Sequence, residues 1–281
     1  MVPIAVTGST GQLGARVVDR LAEAEIPQRL LVRNLARAPR VPRSEIAAAE
    51  YGDTDAVASG LAGVETVLMV SASETPDRVA KHRSFVDAAV RTGVKHLVYV
   101  SFFGASRTAT FTLARDHWAT EEHIKASGLT YTFLRDNIYA DFVPEMVGAD
   151  NVIRGPAGDG RVAAVSQDDI ADVAAAVLRG PSSHRAAIYN LTGPEALTLS
   201  EIAATLAEIT GRDISYHHET LEEAYASRAR YGAPDWQVEA WVSTYVAIAA
   251  GELEDVSTDI ETITGHRATG FADVIKGQLA T

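Results

Sequence analysis

The sequence predicts an α/β fold, a doubly wound parallel sheet with helices on both faces, followed by a small C-terminal α/β lobe. Three observations predict it. At the N-terminus a short apolar strand runs straight into a glycine-rich turn and an amphipathic helix. Five more strand-like stretches then alternate with helical patterns. Beyond about residue 136 that alternation loosens into shorter, mixed elements. Strands written as continuous apolar runs are buried on both faces, and the helices between them supply the cover.

Ile4 to Val6 reads as the first buried strand. Gln12 to Ala24 follows as a helix, because Leu13, Val17, Leu21 and Ala24 recur at helical spacing. Leu30 to Val32 is the second strand, and Ala47 to Tyr51, weak in β-formers, the third. Asp53 to Leu61 is a short helix and Thr66 to Val70 the fourth strand. Pro76 to Thr92 is a helix stopped by Gly93, and His96 to Ser101 the fifth strand. Leu113 to Ala126 is a helix stopped by Gly128, and Thr130 to Leu134 the sixth strand.

In the second half, Gly155 to Gly160 is a turn, Asp168 to Leu178 a helix and Ala187 to Leu191 a strand. Asp168 and Asp169 suit a helix N-terminus. Thr198 and Glu201 form a capping box before a helix through Ile209. A short strand, Ile214 to His217, precedes helices over Leu221 to Arg230 and Pro234 to Ala250. No Pro/Ser-rich linker and no internal repeat divides the chain.

With 47% hydrophobic residues in 281, a sizeable core is available. The net charge is -12, and lysine occurs only at Lys81, Lys95, Lys125 and Lys276. That balance argues against a nucleic-acid footprint and against an anionic membrane surface. The lack of cysteine excludes disulfides, thiolate metal sites and a cysteine nucleophile. No basic leader and no long apolar span is seen, so a cytoplasmic location without membrane contact is expected. No histidine pair has metal-ligand spacing, and no metal is expected.

The turn Gly8-Ser9-Thr10-Gly11-Gln12-Leu13-Gly14 follows a strand and opens a helix, the context that a dinucleotide site needs. Gly8 permits the tight turn, Gly11 lets the backbone approach a pyrophosphate, and Gly14 allows helix and sheet to pack closely. The N–H groups at the helix start then face the phosphates. An ordinary glycine-rich turn between strand and helix is the plainer alternative. Past the second strand, where an acidic residue would hold the ribose of NAD, the chain has Arg33, followed by Asn34 and Arg37. A guanidinium forks onto a 2′-phosphate, so NADP(H) is favoured over NAD(H) unless Arg33 is a solvated loop residue. Residues 1–150 are thus expected to form a Rossmann-type dinucleotide-binding domain on which later elements fold back. Residues 151–281 are expected to supply most of a substrate-binding lobe.

Several segments form one series with the glycine turn: Leu31-Val32-Arg33-Asn34, Tyr51-Gly52-Asp53, Val70-Ser71-Ala72-Ser73, Gly93 to Ser101, Asp116 to Glu122 and Leu134 to Tyr139. The series resembles the NmrA-like atypical short-chain dehydrogenases, within them the triphenylmethane-reductase-like and type 2 quinone-oxidoreductase-like branch. The resemblance implies cofactor contacts at Thr10, Gln12, Leu13 and Arg33. It implies that Asp53 and Thr54 lie near the adenine, Ser71, Ala72 and Ser73 near ribose and pyrophosphate, and Ser101 and Phe102 toward the nicotinamide.

Ordinary short-chain dehydrogenases carry a Tyr-x-x-x-Lys pair, which this chain lacks; Leu113 and His117 stand in those positions. Alcohol oxidation needs a base for the hydroxyl proton, whereas reduction of a quinone or dye needs it less. The expected activity is therefore an NADPH-dependent reductase of a small aromatic or quinone-like acceptor. A redox-sensing regulator that binds the coenzyme without turnover is the alternative, and a homodimer is kept open. His117 is a candidate for a ribose contact or for proton transfer, or else a helix-surface histidine. Asn137 is a candidate to hold carboxamide or substrate, and Tyr139 to stack on a flat ring, unless they are a cap and a core residue. Phe102, Phe103, Phe142, Trp236, Trp241 and Tyr245 can line an aromatic pocket, with the C-terminal three better read as core.

Overall fold

The computed structural model describes residues 4–280. Chain order runs β1 (Ile4–Thr7), α1 (Gln12–Glu23), β2 (Gln28–Val32), β3 (Ser44–Ala48), α2 (Thr54–Leu61), β4 (Thr66–Met69), α3 (Arg78–Arg91), β5 (His96–Phe102), α4 (Thr112–Ala126) and β6 (Thr130–Asp136). It continues with β7 (Val152–Gly155), β8 (Arg161–Val162), α5 (Gln167–Arg179), β9 (Ala187–Leu191), β10 (Leu197–Thr198), α6 (Leu199–Thr210) and β11 (Ser215–His218). The last four are α7 (Leu221–Arg228), α8 (Asp235–Ala249), α9 (Asp259–Thr264) and α10 (Phe271–Leu279).

Seven strands form one parallel sheet in the order β3-β2-β1-β4-β5-β6-β9. The chain winds outward from β1 in one direction, then returns to β4 and winds outward in the other. Such a reversal leaves a crevice beyond the carboxyl ends of the strands. The period of two along each strand divides the sheet's side chains between two cores. Val6, Leu30, Leu68, Val98, Val100 and Leu134 join α1 and α5 on one face. Ala5, Leu31, Val67, Leu97, Tyr99 and Phe133 join α2, α3 and α4 on the other. Thr7 pins the reversal point: its hydroxyl donates to the Leu68 carbonyl (3.1 Å) and accepts from Val70 N–H (2.9 Å).

Three elements after residue 150 belong to this sheet layer. Strand β9 pairs with β6, α5 lies against α1, and α9 packs on α5 and β9 through Ile260. There Arg16 and Arg20 reach the acidic first turns of α5: Arg16 Nε lies 3.3 Å and Arg20 Nη2 2.9 Å from Asp168, and Arg20 also pairs with Asp172. Arg16 further bonds Asp141 (3.0 Å) and Gln167 (3.0 Å). The remaining elements build a lobe around a separate core that includes Ile153, Val162, Leu199, Ile202, Ile248 and Phe271.

The structure departs from expectation at the third strand, which spans Ser44–Ala48 and not residues 47–51. Pairing with β2 sets this register, placing Gln28 opposite Ser44 and Val32 opposite Ala48. Tyr51 leaves the sheet and donates from its hydroxyl to the Val70 carbonyl (2.5 Å). As the half-exposed edge, β3 carries little apolar signal. The expected short strand Ile214 to His217 forms as β11, whereas β7, β8, β10 and helices α9 and α10 lack a periodic signature long enough to stand out in the sequence. The capping box does form: Thr198 Oγ1 accepts from Glu201 N–H and Glu201 accepts from Thr198 N–H. Among the described residues no helix is long and apolar enough to cross a membrane.

Candidate active site

The crevice has an outer, phosphate-facing end and an inner end. The outer end is built by the glycine turn. Gly8 adopts φ +68°, and a Cβ at Gly14 would sit 2.2 Å from the Gly8 carbonyl oxygen. Both positions therefore require glycine. A Cβ at Gly11 would meet only Gly8 O at 3.4 Å, so close packing within the chain does not demand glycine there. No side chain caps the start of α1, and its first turn holds no acidic residue. Its leading N–H groups and the positive end of the helix dipole are thus open to an anion. Gly8, Thr10, Gly11 and Gln12 are exposed, whereas the Leu13 side chain is buried in the core beside Val17. Leu13 can offer only its backbone.

Beyond β2, Thr10, Arg33, Asn34, Arg37 and Glu50 surround a cavity of about 300 Å³. Among the described residues, the guanidinium groups of Arg33 and Arg37 have no ion-pair or hydrogen-bond partner. Asn34 is occupied differently, its Oδ1 accepting from Ala36 N–H (2.9 Å) to cap the turn that carries Arg37. Two free cations against the one carboxylate of Glu50 leave this cavity suited to a phosphate.

The inner end is a chamber of about 210 Å³ at the carboxyl ends of β4, β5 and β6. Its walls include Ser71, Arg78, Ser101, Phe102, Phe111, His117, Asp136, Asn137, Tyr139 and Phe142. Phe102 meets Phe111 edge-on at 4.9 Å, and Phe142 stands 52% exposed at the rim. Behind the walls the polar groups are bonded to one another. Ser101 Oγ donates to Glu121 (2.6 Å), which also receives the two-pronged guanidinium of Arg135 (2.8 and 2.6 Å). Arg78, only 4% exposed, donates from Nε to the Ala72 carbonyl (2.9 Å) and from Nη2 to His117 Nε2 (3.0 Å).

That last bond fixes His117. Its Nε2 accepts from a guanidinium that never acts as acceptor, so the ring proton is on Nδ1 and is donated to the Tyr99 hydroxyl (3.0 Å). Burial, reinforced by Arg78, holds its pKa well below the usual histidine range. His117 is therefore neutral with both nitrogens engaged, which removes it as a proton donor and as a surface histidine; it positions Arg78. His82 is fixed in the same way: Nε2 accepts from Ala72 N–H (2.8 Å), Nδ1 faces Thr120 (2.9 Å), and burial lowers its pKa to about 3.

Asn137 is likewise committed to the fold. Its Nδ2 donates to the Leu253 carbonyl (3.0 Å) and its Oδ1 accepts from Ile138 N–H (2.8 Å), tying the end of β6 to a distant loop. Asp53 caps α2 through Ala56 N–H (3.0 Å), and Thr54 pairs with Ser84 (2.7 Å), so neither side chain is free and neither borders the two cavities. Ala72 anchors the loop through both its backbone groups, and Ser73 is exposed beside it. Phe103 is buried in the lobe core. Trp236 is half-buried and does not border the chamber. Trp241 packs edge-on against Tyr231, and Tyr245 packs over Gly155 and under Arg228. The core reading of Trp241 and Tyr245 is the right one.

The sequence reading missed three of these wall residues, Arg78, Phe111 and Asp136. Arg78 stands two residues past Pro76, the expected start of the helix, and nothing local marks it. Asp136 is only 2% exposed, and among the described residues neither of its carboxyl oxygens makes a hydrogen bond, although the Tyr139 hydroxyl lies near enough to act on its charge. Burial pushes its pKa up to about 7, a rise that the Tyr139 hydroxyl beside it only partly offsets. An acidic residue ending an otherwise apolar strand, Phe133-Leu134-Arg135-Asp136, was the available signal.

With this geometry in hand, comparison with known proteins gives a consistent placement. Residues 8–181 match the model of a family described as NAD(P)H-binding. Quinone oxidoreductase 2 of Escherichia coli (strain K12) is 33% identical, with 97% of each chain covered. The structure of an NADPH-dependent quinone oxidoreductase from Escherichia coli, complexed with NADPH, superimposes with a TM-score of 0.90 at 32% identity, covering 99% of this chain and 100% of that one. The Citrobacter sp. triphenylmethane reductase complexed with NADP(H) gives a TM-score of 0.87 at 29% identity, covering 98% and 99%. The chain belongs to the NAD(P)H-binding, NmrA-like family.

Proposed function

Starting from that membership, we propose that this NAD(P)H-dependent oxidoreductase uses NADPH to reduce a flat, conjugated acceptor of the quinone or dye kind. One observation carries the reading: an aromatic-walled chamber at the carboxyl ends of β4 to β6 that has no Tyr/Lys pair, only Leu113 and a neutral, fully bonded His117. Such a wall can hold a flat ring and lacks the Tyr/Lys pair with which ordinary short-chain dehydrogenases strip an alcohol. The relatives and neighbours include a quinone oxidoreductase, an azoreductase and a triphenylmethane reductase, which supports this reading.

In this reading, the uncapped start of α1 and the backbone of Gly8, Thr10, Gly11, Gln12, Leu13 and Gly14 bind the pyrophosphate. Arg33 and Arg37 fork onto the 2′-phosphate, which selects NADPH over NADH. Ser71, Ser101 and Phe102 border the nicotinamide, with the neighbouring Ala72 and Ser73 backbone along the ribose. When bound there, the coenzyme supplies a hydride. Phe102, Phe142 and Tyr139 hold the acceptor and keep water away. A cavity of roughly 150 Å³ accepts one benzene ring, so a chamber of about 210 Å³ that also receives the nicotinamide has little room left for the acceptor. The acceptor must then extend toward the open rim at Phe142. Asp53 and Thr54 act on the adenine end only by shaping the start of α2.

Rapid mixing of the protein with NADPH and a panel of quinones and cationic dyes tests this. Loss of nicotinamide absorbance that depends on the acceptor, and that is far slower with NADH, is expected. Coenzyme binding without consumption by any acceptor defeats the reductase reading and leaves the redox-sensing one.

A further inference from the structure

The chamber holds one ionisable group that the reaction above leaves unused. Asp136 ends β6 directly opposite Phe102 of β5, so strand pairing fixes it at the inner wall. It is buried, and its two oxygens are without hydrogen-bond partners among the described residues. A carboxylate kept in that state is costly, whereas a carboxylic acid there costs far less. On the reductase reading above, we propose that Asp136, passing its proton through the Tyr139 hydroxyl, is the proton source for the reduced acceptor.

The neighbouring groups exclude the alternatives. Arg78, from the start of α3, keeps its proton at any working pH. His117, from α4, is neutral and its Nδ1 proton is committed to Tyr99. Glu121, also from α4, is ionically bound to Arg135. Asp116 of α4, its pKa raised by burial despite Arg78 at 3.7 Å, does not border the chamber. Asp141, beyond β6, is paired with Arg16. Glu74, in the loop before α3, is exposed to solvent. Tyr139 keeps its own proton, because burial and then the Asp136 charge raise its pKa well above the usual phenol value. Alone it would leave a phenolate beside a carboxylate. Backed by a neutral Asp136 it need never do so.

Reduction of a quinone carbonyl requires two electrons and a hydrogen, delivered together as hydride by the reduced nicotinamide, and one proton. The Tyr139 O–H bond breaks as an O–H bond forms on the acceptor. The Asp136 O–H bond breaks in turn and restores the phenol. The carboxylate left behind takes up one proton from the bulk solvent after product leaves. The acceptor ends as a hydroquinone and the coenzyme as its oxidised form.

The chemistry of the acceptor provides the test. A cationic triphenylmethane dye becomes neutral when its central carbon takes a hydride and needs no proton, whereas a quinone does. Single-turnover rates with each, at saturating acceptor, are compared for the wild type, Asp136→Asn and Tyr139→Phe between pH 5 and 9. The quinone-to-dye rate ratio is expected to fall about tenfold or more in both variants. In the wild type that ratio falls as pH rises through the neutral range, and in Asp136→Asn it does so no longer. Infrared difference spectra of the coenzyme-free protein, wild type minus Asp136→Asn, are expected to show a protonated carboxyl band at pH 6 that is lost by pH 8. A ratio unchanged in Asp136→Asn, or no such band, overturns the proposal. If the wild type oxidises NADPH with neither acceptor, the reductase reading itself fails, and the infrared band alone then decides whether Asp136 stores a proton.

Discussion

Arg33 and Arg78 stand at opposite ends of one crevice and are used in opposite ways. Arg33 is exposed and, among the described residues, unpaired, as is the neighbouring Arg37. Arg78 is buried and committed to Ala72 and His117. The outer end of the crevice offers loose positive charge to a ligand that brings its own negative charge. The inner end binds most of its polar groups to one another before anything arrives, and among the described residues leaves Arg78 Nη1 and the Asp136 carboxyl without hydrogen-bond partners. An anion site and a reaction chamber thus make different demands: the first needs unsatisfied donors, the second needs walls that cannot rearrange.

Three substitutions bear on this contrast. The largest expected effect is at the outer end. Gly14→Ala puts a methyl 2.2 Å from the Gly8 carbonyl, both on backbone that cannot yield cheaply. We expect a loss of about 3 kcal/mol or more, seen as a fall in Tm and in NADPH binding. A variant with wild-type Tm would show that the turn is softer than its geometry implies.

The next effect lies at the inner end and has the opposite sign. Asp136 has a pKa near 7 when folded against the 3.8 of a free carboxyl, so the folded state holds this proton more tightly. Its contribution therefore falls as pH rises from about 4 to about 7, by less than the Gly14→Ala loss. Asp136→Asn abolishes that slope. Denaturant unfolding should find the variant equal to wild type or weaker near pH 4 and more stable above pH 7. Parallel stability curves for the two proteins would mean that the carboxyl is better solvated than its burial indicates.

The smallest of the three separates charge from shape. Arg33→Ala should weaken NADPH binding by about 1.5 to 3 kcal/mol, ten- to a hundredfold, and change NADH binding little. Calorimetric titration with both coenzymes measures it. Equal losses for the two would place the 2′-phosphate elsewhere.

The same contrast explains what could be read in advance. The outer end is local in sequence: a strand, a glycine turn, a helix start and a basic residue past the next strand. Each piece carries its meaning within a few residues, and so do the alternating runs that gave the sheet its six leading strands. The inner end is assembled from α3, β5, α4 and β6, and its chemistry depends on which partners are present. His117 looked titratable until Arg78 and Tyr99 were found on its two nitrogens. Asn137 looked like a ligand-holding amide until Leu253, more than a hundred residues away, took its N–H. Asp136 matters because of donors it lacks, and no motif records a missing partner. β3 was misplaced for a related reason, since an edge strand takes its register from its neighbour and not from its own apolar pattern.

Arg16 joins the helix that the glycine turn launches to Asp141, one residue from Phe142 at the chamber rim. It works as a bracket across the crevice. A rotation of α1 that widened the grip on the phosphates would drag the rim with it, so the two openings cannot be retuned independently. Laboratory evolution toward a bulkier acceptor would accordingly be expected to leave its mark on coenzyme grip as well, and to find its escape route by cutting this bracket first.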